Sequence, residues 1–201
     1  MLSMRTYLAA ATAAVVIGGA GTLAAAPAFA SPRAISHFDD GSFETPTVAV
    51  STFDTFSAGQ SFGPWRVTSG TIDLIGEGFW QAAEGGQSVD LNGTSAGAIS
   101  QTFTTVPGTT YTVAYSLAGN PGGQALKTGK VLIDGQNFQD FSFDTTGKTT
   151  TDMGYVRRQV TFVATKASTT LTFASTTPNS AWGPAVDDVT VQPCPPVPCC
   201  G

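Results

Sequence analysis

No cysteine occurs before residue 194 of this sequence, so no disulfide can brace the body of the fold. Histidine occurs once, at His37, which argues against a histidine-rich zinc centre. Charged residues make up only 11% of the chain, with 14 acidic against 9 basic side chains and a net charge of −5. The largest basic cluster is the pair Arg157-Arg158, which argues against nucleic acid and anionic membranes as partners. No segment shows a helical apolar stripe. Beyond the first 30 residues no apolar run reaches the roughly 20 residues of a membrane-spanning helix.

What is present begins with an export signal. One charge, Arg5, precedes a long Ala/Val/Gly-rich run that closes on "APAFA" before "SPR". This pattern predicts a secretory signal peptide over residues 1–30, cut after Ala30. Residues 31–192 then suit one domain, followed by a Cys/Pro-rich tail over 193–201. The expected location is secreted or extracellular, with association to the cell surface as an option. Without internal disulfides, stability must come from packing, or from packing and a metal.

Alternation dominates the domain. Tyr111, Val113, Tyr115 and Leu117 share one face of "TTYTVAYSLA", and Leu171 and Phe173 share one face of "STTLTFAS". Ile99 and Phe103 do so in "AISQTFTT", with Gln101 as the discordant member, and Phe141 and Phe143 in "QDFSFD". Period-two patterns indicate strands with one buried face. Turn signals separate them, "IDGQN" being a clear hairpin. The expectation is an all-β fold, an antiparallel β-sandwich of jelly-roll type.

Three constellations carry candidate chemistry. Acidic residues lie near both ends of the domain, Glu44 in "DDGSFETP" and Asp187-Asp188 in "GPAVDDVTV". If the terminal strands meet, Glu44, one of the two aspartates and carbonyls near Gly41 would offer calcium an oxygen site, since calcium takes carboxylates, carbonyls and water. Solvated strand ends, or carboxylates bonded to backbone amides, are the alternative. Strict alternation puts Asp187 on the face of Val189 and Val191, so Asp187 is the one expected to need a partner. The second constellation is aromatic: Trp65, Phe79, Trp80 and Trp182, with Gln81, Asn92 and Asn120 as polar neighbours. Exposed aromatics stack on the apolar faces of sugar rings and amides bond the hydroxyls, so these residues are carbohydrate-binding candidates. Trp80, in a Gly-flanked run, is the expected exposed platform, although any single tryptophan can equally fill the core. The third is the tail, where Cys194, Cys199 and Cys200 leave an odd thiol for an intermolecular bond. "NGT" at Asn92 also fits a glycosylation triplet.

The blocks "DGSFETP", "WRVTSGTIDLIG", "FWQAAEGGQSVDLNG", "AGAISQTFTTVPGTTYTVAYSLAGNP", "TTLTFAST" and "WGPAVDDVTV" resemble, in order, a choice-of-anchor C family protein. That bacterial family is similar to plant cell-wall proteins with domain of unknown function 642. The resemblance covers about residues 35–191. It implies a galactose-binding-like sandwich, as in many carbohydrate-binding modules, with a structural calcium ion on Glu44 and Asp187. The chain departs from the plant pattern in having room for one sandwich and no cysteine inside it, and its tail lacks an apolar anchor. The functional expectation is a non-catalytic module that binds polysaccharide or cell-wall glycan. A structural matrix protein linked through its cysteine tail is the alternative. A glycoside hydrolase using Glu44, Glu77 or Glu84 is the least supported, because nothing singles out a carboxylate pair.

Overall fold

The computed structural model describes residues 38–178 and 180–195. The expected signal peptide, His37, Cys199 and Cys200 lie outside the described residues. Twelve strands, numbered in chain order, form two sheets. The first sheet has the order β1 (Phe53–Ser57), β4 (Thr71–Ile75), β5 (Ser88–Asp90), β12 (Pro184–Pro193), β7 (Thr110–Gly119), β10 (Val156–Val163). The second has the order β2 (Ser61–Phe62), β3 (Trp65–Ser69), β6 (Ala98–Thr104), β11 (Ser168–Ser175), β8 (Leu126–Ile133), β9 (Gln136–Asp144). All ladders between named strands are antiparallel, and the chain is an antiparallel β-sandwich of the jelly-roll kind. The described residues contain no helix long and apolar enough to cross a membrane.

The alternating residues fill the space between the sheets. Tyr111, Val113, Tyr115 and Leu117 of β7 are fully buried, as are Leu171 and Phe173 of β11. The β8–β9 hairpin turns through Asp134 and Gly135, both at positive φ, as a two-residue turn of matching twist requires. Gln101, which breaks the apolar pattern of β6, is buried and has a backbone partner: Asp39 N–H donates to Gln101 Oε1 at 3.0 Å, and Gln101 Nε2 donates to the Asp39 carbonyl at 2.9 Å. A core amide is tolerated because both its polar ends are bonded.

The closing strand departs from strict alternation. On β12 Asp187 pairs with Ser116 of β7, but Thr190 pairs with Ala114, so the ladder holds an extra residue. Asp188 takes it up with φ of 50°. This β-bulge reverses the inside–outside phase. Val186, Val189 and Val191 therefore face the core, while Asp187 sits on the opposite face. The expectation that Asp187 shares the face of Val189 and Val191 is corrected by that bulge. Asp187 is buried all the same, because the β4–β5 loop (76–87) lies over it.

Candidate functional site

The aromatic candidates separate by burial. Trp65 is fully buried and its indole N–H donates to the Asp40 carbonyl at 2.9 Å. Trp80, expected to be exposed, is 5% exposed and donates to Ser88 Oγ at 2.7 Å. The Gly-flanked loop folds back onto the first sheet, and Trp80 is its anchor. Gln81 is structural too, accepting from Met153 N–H at 3.0 Å. Phe79 is partly exposed and meets Phe53 edge to face, with centroids 5.4 Å apart. Trp80 is not free to meet a ligand, whereas Gln81 is exposed.

Trp182 is different. It is 47% exposed and sits between β11 and β12. A Cβ on Gly122 would lie 2.6 Å from its Cδ1, and one on Gly123 would lie 2.6 Å from its Cε3. The indole thus lies over the Gly122-Gly123 backbone of the β7–β8 loop, an approach that side chains at those positions would block.

A polar network beneath the ring fixes its loop. Ser180 Oγ accepts from Trp182 N–H at 3.0 Å and donates to the Trp182 carbonyl at 3.1 Å. Lys127, a fully buried lysine on β8, donates to the same carbonyl at 3.0 Å and to the Gly122 carbonyl at 2.6 Å. Asp90, at the end of β5, accepts from Gly183 N–H and Asn92 N–H at 2.9 Å each and from Asn120 Nδ2 at 2.8 Å. Asn92 Nδ2 donates to the Thr177 and Ser180 carbonyls at 3.2 and 2.7 Å, and Asn120 Oδ1 accepts from Gly122 N–H at 3.0 Å. Burial pushes Asp90 up to about 7, against the three donors that favour its charged form. Burial lowers Lys127, while the nearby Asp90 charge raises it.

The structure therefore brings Asn92, Asn120 and Trp182 together at one end of the sandwich, but with divided roles. The two asparagines brace backbone and the indole faces solvent. Asn92 is fully buried, so its triplet is not an open glycosylation site in the folded chain. Nothing in the local sequence marks Lys127 or Asp90, since neither belongs to a motif. A buried lysine at an inward position of β8, between Leu126 and Gly129, is the one cue that "LKTG" offers. The segment "GTSAG" (Gly93–Gly97) matches the Gly-x-Ser-x-Gly pattern. Here it is the turn between β5 and β6, with Ser95 N–H bonded to Thr71 Oγ1 at 3.1 Å, and not the strand-to-helix elbow that exposes a nucleophile.

The acidic candidates converge on another element. Glu44 Oε1 accepts from Gly86 and Gln87 N–H at 2.9 Å each. Asp187 Oδ2 accepts from Ala83 and Glu84 N–H at 2.7 and 3.0 Å, and its Oδ1 touches only the amide of Asp188, at 2.6 Å. The two ends of the domain thus grip one short stretch of the β4–β5 loop. The Gly41 carbonyl accepts from Val189 N–H at 2.8 Å. The loop amides engage Glu44 Oε1 and Asp187 Oδ2. Among the described residues no group of three or more acidic, histidine or cysteine side chains is placed to hold a metal ion, so a calcium ion here would need carbonyl and water for most of its shell. Burial pushes Asp187 up to about 7. Asp188, half-exposed, pairs instead with Arg157. Glu77 and Glu84 are exposed on the same loop. Cys194 is disulfide-bonded, and its N–H extends the β12 ladder to the Thr110 carbonyl at 2.8 Å.

The family described as "Protein of unknown function (DUF642)" matches residues 36–192. Among curated proteins, halomucin of Haloquadratum walsbyi is 30% identical over 158 residues, which is 76% of this chain and 2% of halomucin. The chain thus spans about 2% of the curated relative it matches. Among solved structures, the xylan-binding family 22 carbohydrate-binding module from Paenibacillus barcinonensis is similar over 79% of this chain and 92% of its own, at 18% identity and a TM-score of 0.47. A family 35 carbohydrate-binding module from Clostridium thermocellum is similar over 70% and 97%, at 14% identity and a TM-score of 0.46.

Proposed function

The chain belongs to the DUF642 family of proteins of unknown function, and from that premise we propose that it is a secreted, non-catalytic module that binds polysaccharide or cell-wall glycan through Trp182. One observation carries this reading: an exposed indole seated on two glycines and held by a buried polar network. An aromatic ring left in water is ordinary when it is loose. One whose backbone is bonded from several elements is pre-organised, and pre-organisation lowers the entropy lost on binding. A single ring of this kind suits the apolar face of one sugar.

Pull-down on insoluble polysaccharides and a glycan array test the proposal. The wild type is expected to be retained on at least one glycan, and Trp182→Ala to lose that retention while keeping its fold. A wild type that binds none, with calcium supplied, overturns the reading.

Calcium enters the proposal as a structural ion held by Glu44 and Asp187. When bound it would supply positive charge to two carboxylates from opposite ends of the domain. Thermal melts with calcium and with a chelator decide this. Calcium should raise the melting temperature of the wild type, and raise that of Asp187→Asn much less. A wild type indifferent to chelation would mean that the backbone amides hold the clasp alone.

A further inference from the structure

The Trp182 carbonyl and the Gly183 N–H belong to one peptide unit. Lys127 Nζ donates to the first at 3.0 Å and Asp90 Oδ1 accepts from the second at 2.9 Å. Lys127 is fully buried and Asp90 is 1% exposed. A cation thus holds the oxygen of the peptide that carries the indole, and an anion holds its N–H, each bond strengthened by charge.

We propose that Lys127 and Asp90 form a charge clamp that sets the pose of Trp182 and releases it when Asp90 takes up a proton. The inference rests on Trp182 being the binding platform for its importance, but not for its test. The clamp reaches across the fold: Asp90 lies on β5, Lys127 on β8, and the peptide they hold follows β11. The groups facing Asp90 are Asp73, its partner in register on β4, Lys127 on β8, Asn120 of the β7–β8 loop, Asn92, and Tyr155 before β10. Asp73 opposes ionisation of Asp90. Asn120 and Asn92 favour it through their donors, and Lys127 favours it through its charge. Protonation removes the charge from the bond to Gly183 and leaves the buried Lys127 ammonium without its counter-charge. Both halves of the clamp therefore weaken together.

Trp182 is the exposed member of three tryptophans, the others being 0% and 5% exposed, so its signal is separable. The protein labelled with 5-fluorotryptophan gives three fluorine resonances, and loss of one in Trp182→Phe assigns it. In the wild type the Trp182 resonance should shift and broaden as the pH falls, with a midpoint near 7, while those of Trp65 and Trp80 stay fixed. Asp90→Asn should abolish that titration. Lys127→Met, which removes the favouring charge, should move the midpoint upward, a change that a purely structural role would not produce. If Lys127→Met does not fold, the wild-type and Asp90→Asn titrations still decide. A flat Trp182 resonance across neutral pH, or the same midpoint in Asp90→Asn, overturns the proposal. No ligand is used, so a protein that binds no glycan yet titrates at Trp182 would refute the functional reading and leave the clamp intact.

Discussion

Trp80→Ala and Trp182→Ala are expected to fail in different assays. Trp80 packs against the outer face of the first sheet, with its N–H on Ser88. Its removal leaves a cavity and an unmatched hydroxyl, and should cost about 3–5 kcal/mol in chemical denaturation. Trp182 is half exposed, and its loss should cost less than about 1 kcal/mol. Composition could not separate the two, since each sits among glycines and small polar residues. What separates them is the partner that each ring finds, and that partner comes from a distant part of the chain.

At the scale of elements, β12 shows how local pattern misleads. Strict alternation puts Asp187 with Val189 and Val191, but the bulge at Asp188 puts it against the β4–β5 loop. The bulge has a weak signature in sequence: Asp is enriched among the few non-glycine residues at positive φ, but most Asp residues do not adopt it. The two aspartates should respond unequally. Asp187→Ala leaves two part-buried amides without their acceptor and should lower stability by about 1–3 kcal/mol. Asp188→Ala removes a partly exposed pair with Arg157, for which about 0–1 kcal/mol is expected. Equal losses in urea denaturation would contradict this assignment. The loop that Asp187 and Glu44 hold is the element that buries Trp80, so the two ends of the domain fix a central feature of its surface.

For the whole molecule, two carboxylates set the direction of the pH response. Burial raises both Asp90 and Asp187 from 3.8 to about 7. Between those values the folded chain binds more protons than the unfolded one, so stability falls as pH rises from about 4 to 7 and levels off above. With a chelator present, melting temperatures should be higher at the acidic end of that window than above it. Asp90→Asn should flatten the slope. A melting temperature that rises through the window would contradict the burial of both groups. Global stability and the order of Trp182 then move in opposite directions with pH, because the proton that relieves a buried charge also loosens the peptide which that charge holds.

The sequence by itself determined the sandwich and its inward faces. Alternation over β7, β9 and β11 is a local property, and each strand states which side is apolar before it meets a partner. It also placed Asn92, Asn120 and Trp182 among the candidates, because aromatic rings stack on sugar faces and amides bond the hydroxyls. Only the tertiary structure decided which indole faces water, why Gln101 is tolerated in the core, and what Lys127 and Asp90 hold. Those outcomes depend on hydrogen bonds between residues tens of positions apart, such as Lys127 to Trp182 and Asp90 to Gly183. No local pattern encodes them, because the energy of a buried charge is set by the neighbours that the fold brings to it.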